Sequence, residues 1–137
     1  MEILNATVKN IENFRMAVDN GKHSICLDLS SNVGGEDKGP SSLDLTVMSL
    51  AGCIAQIFTL VSKKMRIEIS DLTVKMRAEK PDDAPTITRT ECELSLKSKE
   101  KKEKIERAWK HTMSTCPVGQ LFEAAGIDVK CKLSIEK

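Results

Sequence analysis

Thiols are the reactive groups this sequence offers. Its five cysteines stand at positions 26, 53, 92, 116 and 131, an odd number with no CxxC spacing. The two histidines, His23 and His111, lack the spacing of a ligand pair and read as surface residues, so no zinc site is implied. A thiolate rather than a thiol is the nucleophile, and it forms where a cation, a hydrogen-bond donor or a helix N-terminus offsets the cost of its charge. Each cysteine is therefore either packing or chemistry, and its neighbours decide which.

Cys116 precedes Pro117, a residue favoured in the first turn of a helix, which places Cys116 at or near an N-cap. There the unpaired N–H groups and the helix dipole favour a thiolate, so its pKa is expected to fall. Cys53 follows Ala51 and Gly52 inside a long apolar segment. A glycine within a helix costs about 1 kcal/mol relative to alanine, which implies close packing or access to a neighbouring site. Cys92 and Cys131 sit on the apolar faces of strand patterns and read as packing residues. Cys26 has the opposite parity to Ile25 and Leu27, facing solvent or a subunit interface, and is read as structural.

The elements that must position these thiols follow from periodicity. Strand-like alternation fills the first third, with Asp19, Asn20 and Gly21 supplying a hairpin turn between FRMAV and HSICLDL. Positions 30–40 are a loop, broken by Gly34, Gly35, Gly39 and Pro40. Ser41 and Ser42 offer N-cap oxygens to an apolar helix reaching about Met65. Leu72, Val74, Met76 and Ala78 mark one strand, and Cys92, Leu94 and Leu96 a second, joined by a turn over 80–85. A helix over 99–113 carries Ile105, Ala108, Trp109 and Thr112 on one face. A short helix from Pro117 ends at Gly126, and Ile127 to Ile135 alternate as a closing strand. The reading is an α+β domain in which a long buried central helix packs on an antiparallel sheet, with residues 1–137 as one domain.

Composition narrows the function classes. Lys and Arg exceed Asp and Glu by one, and the chain has three Phe, one Trp and no Tyr. Neither a nucleic acid nor a membrane partner is expected from that balance. The 18 uncharged residues from Leu45 to Ser62 reach the length of a membrane span, but recurrent Thr, Ser, Gly and Gln make a core helix the better reading. No secretory signal is visible in MEILNATVKN, so a cytoplasmic location is expected, where a disulfide scaffold is improbable.

The run GPSSLDLTVMSLAGC, from Gly39 to Cys53, resembles the signature of the OsmC/Ohr family that opens on Gly-Pro and closes on Ala-Gly-Cys, and CPVGQLF from Cys116 resembles that family's second-cysteine motif. Sixty-two residues separate the two cysteines, with two strands and a helix between them as in the family. The resemblance implies an intertwined α+β homodimer acting as a thiol-dependent peroxidase of organic hydroperoxides. By that resemblance Cys53 is the peroxidatic residue, Cys116 condenses with its sulfenic acid to a disulfide, and an external dithiol reduces the pair, with no metal or organic cofactor. The family's better-characterised branches carry Glu ten residues before the first cysteine. Here Leu43 stands at that place and Asp44 one position later, as in a branch with its acid nine residues before the cysteine. Arg15 is the one arginine in the N-terminal strands and the candidate for the family's activating cation.

Asp44 also has a structural reading, because an acid in the first turn of a helix is favoured by the dipole. Nine helical residues span about 13.5 Å and turn through about 180°, so Asp44 cannot touch Cys53 on the same continuous helix. An acid acting at Cys53 would come from another chain. Ile57, Phe58, Trp109 and Phe122 are candidate liners of a pocket for a bulky peroxide and equally candidates for the core. Two other functions fit the same residues: a redox-sensing or ligand-binding dimer with slow turnover, and a structural dimer in which both cysteines are core.

Overall fold

The computed structural model describes all residues from Met1 to Lys137. Its elements run β1 (Thr7–Glu12), β2 (Arg15–Asp19), β3 (Ser24–Leu27), a single 3-10 turn (Ser31–Val33), α1 (Ser42–Lys64), β4 (Ser70–Glu79), β5 (Arg89–Lys97), α2 (Lys102–Thr115), α3 (Pro117–Ala124) and β6 (Val129–Glu136). They form two compact units, residues 1–46 and 47–137.

The first unit is an antiparallel sheet in the order β1-β2-β3. Asn13, at φ 50°, turns β1 into β2, and Gly21, at φ 90°, turns β2 into β3, the latter at the place the Asp-Asn-Gly run marks. All of β1 is exposed, and Val8, Ile11, Phe14 and Ile25 lie open to solvent. The single buried residue of this unit is a charged one, Asp28. Burial works against its charge, but the N–H groups of Lys38, Leu29 and Glu36 and the nearby Arg15 outweigh that cost and hold its carboxyl below the ordinary value. That carboxylate ties β3 to the loop over 30–40.

The second unit holds every buried apolar side chain, from Leu50 to Ile127. Leu50, Ile54, Phe58 and Val61 recur at spacings of three and four along α1, and they share one core with Leu94 and Leu96 of β5 and Ile105 and Ala108 of α2. The expectation of a buried central helix is corrected to one buried along a single face: Met48, Gly52, Gln56 and Leu60 are exposed on the other. By length and composition α1 is sufficient to cross a membrane, and 28% of its apolar window is buried within the chain.

The α+β class holds, but the sheet is not antiparallel throughout. β4 pairs antiparallel with β5, whereas β6 pairs parallel with β5. Parallel neighbours need a crossover, and α2 and α3 supply it. A second correction follows from that register: Cys92 stands opposite Cys131, and the two are joined as a disulfide across 39 residues of chain rather than serving as separate packing residues.

Candidate functional site

Cys116 occupies the joint between two helices. Its N–H donates to the Thr112 carbonyl at 2.9 Å and closes α2, while its own carbonyl accepts from Gln120 N at 3.0 Å and opens α3. Its Sγ accepts from Gly119 N at 3.4 Å, the bond an N-cap side chain makes to the third residue of a helix. Pro117 follows at the first helical position, where its missing N–H costs nothing. The side chain is fully buried.

Burial decides the charge of this thiol. It pushes the Cys116 pKa up, the hydrogen bond to Cys53 adds to the rise, and the N–H groups of Gly119 and Val118 offset only part of it, so the value stands at about 11. The expected lowering by the helix N-terminus is thereby corrected: the dipole is present, but desolvation outweighs it. At neutral pH Cys116 is a protonated thiol, and it donates to the Cys53 sulfur at 3.0 Å.

Cys53 lies on α1 between the exposed Gly52 and the buried Ile54, itself half-buried. A Cβ built on Gly52 meets no atom within 4 Å, so of the two reasons for a mid-helix glycine the single chain shows open space rather than close packing. The arrangement pairs a half-buried cysteine with a fully buried one carrying a proton. A disulfide bond is about 2.05 Å long, so closing the pair requires an approach of about 1 Å.

Arg15 and Asp44 belong to the first unit, and each has a partner there. Arg15 opens β2 and its Nη2 lies 3.1 Å from Glu36 Oε2, while its Nε is buried without a hydrogen-bond partner. Asp44 Oδ2 accepts from Ser41 N at 3.0 Å and Ser41 Oγ at 2.9 Å, and Ser41 Oγ accepts in return from Asp44 N at 3.0 Å. That reciprocal pair is a capping box at the start of α1 and supports the structural reading of the acid. Phe58 and Phe122 are core residues, with Phe58 edge-on to Trp109 at 6.2 Å; Ile57 and Trp109 are partly buried at the margin. His23 and His111 are exposed, as read from sequence. Gly119, whose N–H donates to Cys116 Sγ, is the neighbour that sequence reasoning left without a role. The signal was its place three residues after an N-cap cysteine, the position whose N–H a cap accepts.

The sequence profile of OsmC-like proteins matches residues 35–132. No curated protein sequence matches at a significant level. Among solved structures, an OsmC-like protein from Mycoplasma pneumoniae superposes with a TM-score of 0.87 at 14% identity, covering 99% of both chains. An organic hydroperoxide resistance protein from Elizabethkingia anophelis gives 0.75 at 18% identity, over 99% of this chain and 98% of that one. One from Legionella pneumophila gives 0.69 at 16% identity, over 98% of each. These likenesses are likenesses of fold.

Proposed function

Because the chain belongs to the OsmC-like protein family, we propose that it is a thiol-dependent peroxidase of organic hydroperoxides in which Cys53 attacks and Cys116 resolves. The observation that carries the reading is the 3.0 Å approach of the sulfurs of a half-buried and a fully buried cysteine. Cys53 has solvent access, and Cys116 holds a donor against any charge Cys53 carries. The attacking Cys53 sulfur takes the distal oxygen of the hydroperoxide, leaving a sulfenic acid and releasing an alcohol. Cys116 then displaces water from that sulfenic acid to form the disulfide, its thiol proton leaving with the water. A dithiol reductant returns both thiols by exchange and is itself oxidised to a disulfide. No metal or organic cofactor enters these steps.

The names of several solved neighbours support the substrate class, since the Legionella and Elizabethkingia proteins are described as organic hydroperoxide resistance proteins. We assign the working unit as a homodimer, cytoplasmic, in which residues 1–137 act as one domain. Support for association comes from the first sheet, which buries no apolar side chain, and from the exposed stripe of Met48, Gly52, Gln56 and Leu60 along the middle of α1. Arg15 is the candidate cation for Cys53, and Asp44 serves the helix cap. A slow redox sensor is the second reading, favoured by the engagement of Arg15 with Glu36.

The test is stopped-flow consumption of cumene hydroperoxide by the reduced protein beside Cys53→Ser and Cys116→Ser, with mapping of the product disulfide. Peroxidase action gives rapid loss of one equivalent, absent in Cys53→Ser, and a link between residues 53 and 116. Reaction no faster than that of a free thiol in all three proteins would refute it.

A further inference from the structure

The second thiol pair, Cys92 and Cys131, lies apart from this chemistry in sequence and on different elements. Its geometry is set by the parallel register of β5 and β6. On the opposite parity of the same strands, Lys75, Glu93 and Lys132 stand in one row and Arg77, Glu91 and Lys130 in the next, so charges alternate in sign across the sheet. A slip of one residue would break both rows and turn the apolar face of β6 outward, so the register that sets Cys92 against Cys131 is strongly specified. Their Cα atoms are 4.3 Å apart. Burial is again unequal: Cys92 is buried on the central strand, and Cys131 is partly buried on an edge strand.

The chain enclosed between these two cysteines contains α2, α3 and Cys116. We propose that Cys92 and Cys131 form a second, independently titrating redox couple, whose disulfide clamps β6 to β5 and so holds the segment that presents Cys116. The oxidant is a small-molecule disulfide of the glutathione class. The Cys131 sulfur attacks it, one thiol leaves, Cys92 displaces the second, and the two protein thiols yield two electrons and two protons to make two equivalents of the small thiol. The inference does not rest on the peroxidase reading, because neither cysteine takes part in it.

Cys53→Ser protein, in which the first pair cannot close, is equilibrated across glutathione buffers from fully reducing to fully oxidising, then alkylated, digested and mapped, with amide hydrogen exchange followed on the same samples. The expected result is a peptide linked between 92 and 131, loss of two thiols, and exchange at least about tenfold slower in β6 and in α3 of the oxidised form. Cys116→Ser protein is carried through the same series as a second background, so that a folding defect in one variant does not decide the outcome. Cys92 and Cys131 remaining reduced in the most oxidising buffer overturns the proposal, as does a link that leaves exchange in β6 and α3 unchanged. A 53 to 116 failure in the peroxide assay leaves this result untouched, and the two readings fall separately.

Discussion

Gly52 gives the sharpest test of how α1 is used. A glycine within a 23-residue helix costs about 1 kcal/mol relative to alanine, and a methyl group placed there meets nothing within 4 Å beyond its adjacent residues and the backbone of its own helix. Gly52→Ala is therefore stabilising as far as one chain is concerned. An entropy of unfolding of about 2.1 cal/mol/K per residue turns 1 kcal/mol into a rise of about 3 to 4 °C in Tm for a chain of this size. The reason to keep glycine must lie in what approaches the open flank beside Cys53, either a hydroperoxide or a second copy of the chain. Gly52→Leu, which fills that flank, is expected to slow Cys53 oxidation or weaken self-association at least about tenfold, equivalent to about 1.4 kcal/mol. The measurements are thermal melting at fixed protein concentration, sedimentation equilibrium and stopped-flow oxidation on both variants. If Gly52→Leu matches the wild type in assembly and in rate, the open flank has no use and the argument from the glycine fails.

The capping box predicts that Asp44→Ala lowers stability by about 1 kcal/mol in urea unfolding, while the rate of Cys53 oxidation stays within about twofold of wild type. A rate loss of tenfold or more would assign the acid to catalysis. Asp28 has its pKa lowered in the fold, so it contributes stability above the unfolded carboxyl value that is lost as pH falls through the folded value. Urea midpoints should then fall for wild type below about pH 4, and Asp28→Asn should be less stable at pH 7 with a gap that narrows under acid; a gap independent of pH refutes the assignment. Cys116 is raised to about 11, so its contribution is fully present below the ordinary thiol value and is lost as pH rises through about 11. In the reduced protein, iodoacetamide should modify Cys116 more slowly than Cys53 at pH 8, with Cys116 labelling climbing only toward pH 11; equal labelling at pH 8 would refute a buried, protonated thiol at Cys116.

Local signals were legible where local forces set them. Ser41 before an apolar run placed the start of α1 within a residue, because a cap is a short-range hydrogen bond. The period-2 pattern after Ile127 located β6, and Pro117 marked the first residue of α3. The partner of β6 was not legible, since alternation fixes which side chains share a face but not the direction of the neighbouring strand. With the parallel pairing went the Cys92 to Cys131 bond, which separates 39 residues in sequence and joins them only through that register. Cys116 shows the same limit in its electrostatics. The N-cap was readable from Cys-Pro, but the sign of the pKa shift depends on how much protein surrounds the sulfur, and that is a property of the assembled core.

The two faces of α1 explain why Cys53 rather than Cys116 is the variable element of the site. Ile54, next to Cys53, faces a core that is complete within the second unit, and Cys116 is enclosed by that same core. Its environment is therefore fixed once this unit folds. Gly52, on the other side of Cys53, belongs to the uncharged stripe of Met48, Gln56 and Leu60, which the single chain leaves bare. Any surface that covers the stripe changes the dielectric and the access of Cys53 while leaving Cys116 as it was. Under the proposed roles, a site built this way holds the Cys116 thiol constant and leaves the reactivity of Cys53 to whatever covers α1. Association and thiol reactivity are then linked quantities, and the dissociation constant of the assembly should set the concentration at which peroxide reactivity appears.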